Sequence, residues 1–244
     1  MSATGRSCSA VVESVNRPAT LNPGGGPGKV YRHATGKGKG SHVTEVTTAH
    51  GEEVMPSVFD VLSRDHQEVK HLLSELESGP AASAGASPEQ LAQRKKAAQV
   101  LVIEESRHEA AEQMYFWPAV RERLPDGSHL ADQAISQEQE GKEVLDKLDQ
   151  ADAGDGQFES LLGEFIAAGR DHIAYEENQV WPKMRAALSK AEADELGSKI
   201  EQAKKTAPTR PHPKAPSSPG AQKSTGPAVA AADKARDAAT GRGR

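Results

Sequence analysis

His108 and Glu112 stand four residues apart in "HEAAEQMYFWP", and His172 and Glu176 repeat the spacing in "HIAYEENQVWP". In each stretch a Trp-Pro pair, Trp117-Pro118 or Trp181-Pro182, closes the sentence. Helix positions four apart differ by about 40° in azimuth, so each His shares a face with its Glu. One such pair is a weak signal, because a single His on an apolar stripe is more often a hydrogen-bonded core residue than a ligand. Two copies in equivalent positions are much harder to reach by accident.

Each copy is completed by a polar residue from the preceding helix. His66 comes a turn before Val69 and two turns before Leu73, and Glu138 takes the same place ahead of Val144, Leu145 and Leu148. A buried carboxylate costs several kcal/mol unless it is paired. Three carboxylates converging with three imidazoles do not satisfy one another, whereas a divalent or trivalent cation neutralises the set. The only cysteine is Cys8, far from these residues, so no thiolate takes part. Mixed imidazole–carboxylate ligation suits iron or manganese, with zinc as a competitor. The other histidines fall elsewhere: His71 is about 140° around the helix from His66, His129 lies at a helix start, and His33, His42, His50 and His212 belong to the ends of the chain. The Trp-Pro pairs are read as structural, the Trp packing near the site and the Pro bending the helix.

The elements that position these residues are helical. Apolar residues recur at helical spacing, and β-branched alternation is nearly absent. Helix 1 is expected at about 57–77, with Val58, Val61, Leu62, Val69, Leu72, Leu73 and Leu76 on one stripe. Ser87-Pro88 with Gln90 supplies a cap, a first-turn proline and a capping box for helix 2, which runs to about 123, where "PDG" stops it. Helix 3 is expected from behind Ser128 to about 150, and helix 4 at about 157–187. A short fifth helix follows Ser189, with Glu192 as capping-box partner. The implied fold is all-α, an up-down-up-down four-helix bundle. Its halves resemble each other: Lys70, Leu73 and Leu76 match Lys142, Leu145 and Leu148, so helices 1–2 read as a copy of helices 3–4.

Residues 1–55 and 206–244, rich in Gly, Pro, Ser, Ala and Lys, carry little apolar surface to offset chain entropy and are expected as disordered tails. The domain is thus placed at 56–205. Met55 stands immediately before the first periodic segment, which makes 1–54 a candidate over-extended start. The net charge of −5 is uneven: residues 204–244 carry nine Lys/Arg against two Asp/Glu, and the helical domain between the ends is strongly acidic. That domain does not suit nucleic acid, whose binding rests on neutralising phosphates. No stretch approaches the ~20 apolar residues of a membrane span, there is no signal-peptide core, and a cytoplasmic location is expected.

The set His66, His108-x-x-x-Glu112, Glu138 and His172-x-x-x-Glu176, with Trp-Pro after each pair, resembles the hemerythrin-like cation-binding (HHE) domain over about 57–187. The resemblance implies a non-haem di-iron centre, oxo- or hydroxo-bridged, held inside the bundle by those six residues. Two features depart from the family pattern. Helix 3 offers Glu138 where oxygen carriers have a His, and Glu109, which follows the helix-2 His and serves as a ligand in some members, is set aside on its azimuth. A ferritin-like centre fits less well, since its signature places Glu before His at i, i+3. Six side chains, two bridging carboxylates and one solvent-derived bridge give about ten bonds, and two octahedral irons need about twelve, leaving roughly two open positions. The expected function is binding or sensing of O2, peroxide, NO or iron. The alternative is a di-iron enzyme that reduces peroxide or other oxidants, or a ferritin-like iron-handling protein. The sequence leaves a protein partner unknown.

Overall fold

The computed structural model describes residues 55–242, and among these there is no β-strand. Expectations for the head of the chain, Cys8 included, lie outside the described residues. The first rod of the bundle is α1 (Val58–Ser78). The second is α2 (Pro88–Ala111), a π-helical turn (Glu112–Phe116) and α3 (Trp117–Arg123). The third is α4 (Gly127–Gln150). The fourth is α5 (Gly156–Tyr175), a second π-turn (Glu176–Val180) and α6 (Trp181–Ala187). Two further helices follow, α7 (Lys190–Thr206) and α8 (Pro219–Thr240).

Local chemistry starts several of these helices. Capping boxes join Ser57 with Asp60, Ser87 with Gln90 and Ser189 with Glu192, each satisfying amides that the helix itself leaves open. Helix α4 begins at Gly127 rather than behind Ser128, and its cap residue Asp126 makes no side-chain capping bond. A Cβ at position 127 would stand 2.0 Å from the Val120 carbonyl oxygen, so the tight turn out of α3 admits only glycine. Gly197 likewise lets α7 approach the start of α1, where a Cβ would meet the Pro56 carbonyl oxygen at 2.4 Å.

Two apolar clusters fill the interior. One contains Val58 to Leu62 of α1, Phe116, Trp117 and Val120, Leu130 to Ala134 of α4, and Val180, Trp181 and Met184. The other contains Val69 to Leu76, Ala98 to Val102, Val144 to Leu148, and Phe158 to Ile173. Rods one and three therefore run from the first cluster to the second, and rods two and four run back, which is the up-down-up-down order. The six inward polar residues lie near where each rod passes from one cluster to the other. The bundle carries a polar layer at mid-height, sealed by hydrocarbon on both sides.

Both π-turns lie between the Glu of a His–Glu pair and the following Trp. In each, the Trp amide donates to the carbonyl of that Glu, five residues back. Pro118 and Pro182 explain the placement, since a proline removes one helical donor and its ring crowds the carbonyl four residues earlier. The extra residue in the turn is the common form of a π-bulge, a feature that recurs at functional sites.

The expectation of a disordered 206–244 is corrected by the structure. Residues 207–218 and α8 lie against the bundle, held by a charged network rather than by apolar area. Arg242 pairs with Asp149 at 2.8 Å and donates to the Thr209 carbonyl, while Arg210 bonds Asp237 at 2.6 Å and Asp149 at 3.1 Å. Asp233 accepts from the Thr209 amide and pairs with His212. Composition scanned for hydrophobicity misses such an anchor, because its energy lies in paired side chains. Among the described residues, no helix is long and apolar enough to cross a membrane.

Candidate metal centre

The mid-height layer brings all six expected residues together in two overlapping groups. His66, His108, Glu112 and Glu176 form one, and Glu112, Glu138, His172 and Glu176 form the other; within each, the possible ligand atoms lie within 4.8 Å of one another. Glu112 and Glu176 belong to both. Glu176 turns Oε2 to His66 Nε2 at 3.2 Å and Oε1 to His172 Nε2 at 3.1 Å, one oxygen for each group. Glu112 Oε2 stands 3.2 Å from His108 Nε2.

These atoms are poorly served by the protein alone. Nε2 of His66, His108 and His172 and both oxygens of Glu112 and Glu176 are buried without a hydrogen-bond partner. Buried polar atoms are nearly always satisfied, so a concentration of orphans at one spot points to a missing partner. Three imidazole nitrogens and carboxylate oxygens are a donor set that suits metal cations, and the residues present fit a metal site.

The far side of each imidazole is occupied. His66 Nδ1 donates to Glu177 Oε1 at 3.1 Å, and Lys70 holds that carboxylate at 2.7 and 2.8 Å. His108 Nδ1 faces Asp65 Oδ2 at 3.4 Å, and Lys204 of α7 holds the other Asp65 oxygen at 2.6 Å. His172 Nδ1 faces Gln137 Oε1 at 3.1 Å. Outer partners of this kind fix the tautomer that leaves Nε2 free for a cation. Glu138 is held by Gln113, which donates to Oε2, and by Trp117, whose ring N–H donates to Oε1 at 2.5 Å. Lys142 stands 3.9 Å away on the next turn. Trp181, the counterpart of Trp117, stacks on His66 with ring centroids 4.8 Å apart.

The sequence reading passed over several of these residues. Asp65, Gln113, Gln137 and Glu177 are each the immediate neighbour of an expected ligand, and the internal duplication pairs Asp65 with Gln137 and Gln113 with Glu177. That correspondence was the available signal. Glu109, set aside on azimuth, is also buried, with Lys142 at 3.4 Å. Helix α2 is packed by α1, α4 and α7 together, so its inward arc is wider than that of a helix with one buried face. Glu105, one turn before His108, is buried as well. His71 and His129 are exposed, as read from their positions.

Without a cation, protons take up the unbalanced charge. Burial pushes Glu112 up to about 8, with the Glu176 charge adding to it, and burial pushes Glu109 to about 8 against the pull of Lys142. Burial alone would lower His172, but the charge of Glu176 overrides it and raises the imidazole to about 10. His108 is raised in the same way by Glu112 and Asp65. Glu176 is held low despite burial by His172 and His66. Cation binding at these atoms must displace protons.

Residues 57–184 match the family model for the Hemerythrin HHE cation binding domain. An uncharacterized hemerythrin-like protein of Schizosaccharomyces pombe is 31% identical over 137 residues, which is 56% of this chain and 68% of that protein. A crystal structure of a hemerythrin HHE cation binding domain-containing protein from Mycobacterium kansasii has the same fold, with a TM-score of 0.50 at 22% identity over 62% of this chain and 89% of that one. The family match spans more than half of the chain and takes in both His–Glu pairs, both π-turns and the residues of the polar layer, and the chain belongs to the hemerythrin HHE cation-binding family.

Proposed function

We propose that the chain is a non-haem di-iron protein that binds or senses a small oxidant such as O2, peroxide or NO. Its ligands are His66, His108, Glu112, Glu138, His172 and Glu176. The observation that carries this reading is the sharing of Glu112 and Glu176 between two four-residue groups, since a shared carboxylate holds two cations a short distance apart. Iron bound there would supply one-electron chemistry and open coordination positions for a small ligand. The chain's own part is to hold and shield. The Nδ1 partners Glu177, Asp65 and Gln137 orient the three imidazoles, and Gln113 and Trp117 fix the Glu138 carboxylate. The apolar clusters above and below exclude bulk water and lower the local dielectric.

Metal analysis with an optical spectrum tests the proposal, on full-length protein purified anaerobically and then exposed to air. About two irons per chain and a new charge-transfer absorption after oxidation are expected. One metal per chain, or zinc alone when iron is freely supplied, counts against a di-iron centre. Turnover of added H2O2 by the iron-loaded protein would favour an oxidant-reducing enzyme over a binding or sensing role.

A further inference from the structure

The C-terminal segment lies outside the family match, which ends at residue 184, yet it reaches the edge of the metal centre. Helix α8 packs against the π-turn that carries Glu112. Its Gln222 donates to Gln113 Oε1 at 3.1 Å, and Gln113 in turn donates to Glu138. Lys223 of the same helix sits 4.4 Å above the ring of Tyr115, within that π-turn.

Between α8, the strap 207–218 and the bundle lies a pocket with about 40 Å³ of free volume. Its walls include Ala110, Pro211, Ala215 and Val229, and Lys142 and Gln222 also line it. These last two connect it to the centre: Lys142 Nζ stands 3.9 Å from Glu138 Oε2, and Gln222 acts through Gln113. The free volume is roughly three times the ~10–15 Å³ that accommodates one water. The charged residues on the walls already have partners: Lys142 has Glu109, Arg210 has Asp149 and Asp237, and His212 has Asp233. The walls therefore offer little spare charge to an ion. Gly226 of α8, also on the wall, is buried, but a Cβ there would meet no atom within 4 Å.

We propose that the C-terminal extension builds an antechamber to the metal centre, a pocket for an uncharged molecule of two to four atoms that passes to the centre beside Lys142 and Gln222. This inference rests on the di-iron reading for its purpose, but not for the existence of the pocket. O2, NO and hydrogen peroxide fit the class; an organic hydroperoxide does not.

The test uses the full-length chain in two states. In metal-free protein with labelled Ala, Val and Leu methyls, dissolved O2 should speed relaxation at Ala110, a buried methyl on the pocket wall, beyond that at the equally buried Ala98 and Leu73 of the second cluster. Gly226→Leu and, independently, Val229→Phe should remove that excess at Ala110. In iron-loaded protein, both variants should keep the wild-type iron content and slow NO association by about tenfold, a change in on-rate within the range that single substitutions produce. An Ala110 methyl no more responsive than Ala98, or unchanged NO association in both variants at equal iron content, would overturn the antechamber. Wild-type protein that holds no iron would overturn the di-iron reading instead, and the O2 relaxation result then decides the pocket alone.

Discussion

Gln137 Oε1 lies 3.1 Å from Nδ1 of His172, in the place where the other half of the bundle sets Asp65 Oδ2 3.4 Å from Nδ1 of His108. The duplication keeps the position and changes the charge. The same exchange recurs one helix over, where Glu177 supports His66 and Gln113 supports Glu138. In the proposed ligand set, one group would thus supply imidazoles backed by carboxylates, and the other would add a carboxylate, Glu138, with amides as the outer partners. Negative charge has moved from the outer partner to the inner residue, so the two proposed cation positions would differ in kind.

Asp65→Asn tests that division. The amide is nearly isosteric but no longer raises the basicity of His108, and loss of an outer partner typically costs 10–100-fold in metal affinity. Competition with a chelator should show one of two cation affinities falling by about that factor, with the other nearly unchanged. Gln137→Leu should weaken the opposite one. Equal loss at both positions in either variant would contradict the division.

The fold was legible because apolar spacing and two capping boxes, Ser87 with Gln90 and Ser189 with Glu192, agree on where helices run, and the six inward polar residues because the duplication writes them twice. The π-turns were not, since a bulge depends on how the backbone relieves the crowding at Pro118 and Pro182. Glu109, set aside as a ligand on its azimuth, stays outside both four-residue groups, but its burial was not legible, because a helical wheel does not give how many neighbours surround α2. The C-terminal helix escaped notice for a different reason. Arg210, Asp233, Asp237 and Arg242 look like solvated tail residues until Asp149 and Thr209 are seen beside them.

The metal-free protein should lose stability as pH rises. Glu109 and Glu112 shift from an ordinary value of 4.5 to about 8 in the folded state, so the folded form holds more protons between those values. Their contribution is present below about 4.5 and is lost as pH climbs through 8. His172, raised from 6.5 to about 10, acts in the same direction at higher pH. Glu176, held low, contributes fully above 4.5 and is flat across this window. Calorimetry of chelator-treated protein should therefore give a lower Tm at pH 9 than at pH 5. The gap between loaded and metal-free protein should widen over the same range, because cations compete with fewer protons. A metal-free Tm that rises from pH 5 to 9 would refute this.

Arg242→Ala should destabilise the protein substantially. The change removes one of the two arginines that hold Asp149 and Asp237; Arg210 keeps both acids partnered, so the cost should be about 1.5–3 kcal/mol, that of lost charged hydrogen bonds, rather than that of a stranded buried charge. At roughly 2–4 °C per kcal/mol for a domain of this size, Tm should fall by several degrees. Truncation after Lys205 should do the same. A truncated protein that melts with the full-length chain would show that the strap and α8 add nothing to the bundle.

Glu138 carries the last prediction. In the proposed di-iron centre its carboxylate would bring an anion to the cation pair where an imidazole would be neutral, and added negative charge favours the ferric over the ferrous state by the Coulomb logic that shifts pKa values near metals. The donors from Gln113 and Trp117, with Lys142 at 3.9 Å, spread part of that charge without removing it. A ferrous pair held this way should autoxidise readily, which ranks sensing or peroxide chemistry above reversible O2 storage. Glu138→His should slow autoxidation, aided by the absence of a second anion from the Gln113 side. Glu138→Ala should leave one cation short of a ligand and bring metal content toward one per chain. Stopped-flow oxidation and metal analysis of the three proteins decide between these outcomes. Wild-type protein that keeps an oxygenated form for hours, or Glu138→Ala protein that retains both irons and oxidises at the wild-type rate, would remove Glu138 from the ligand set and the ranking with it.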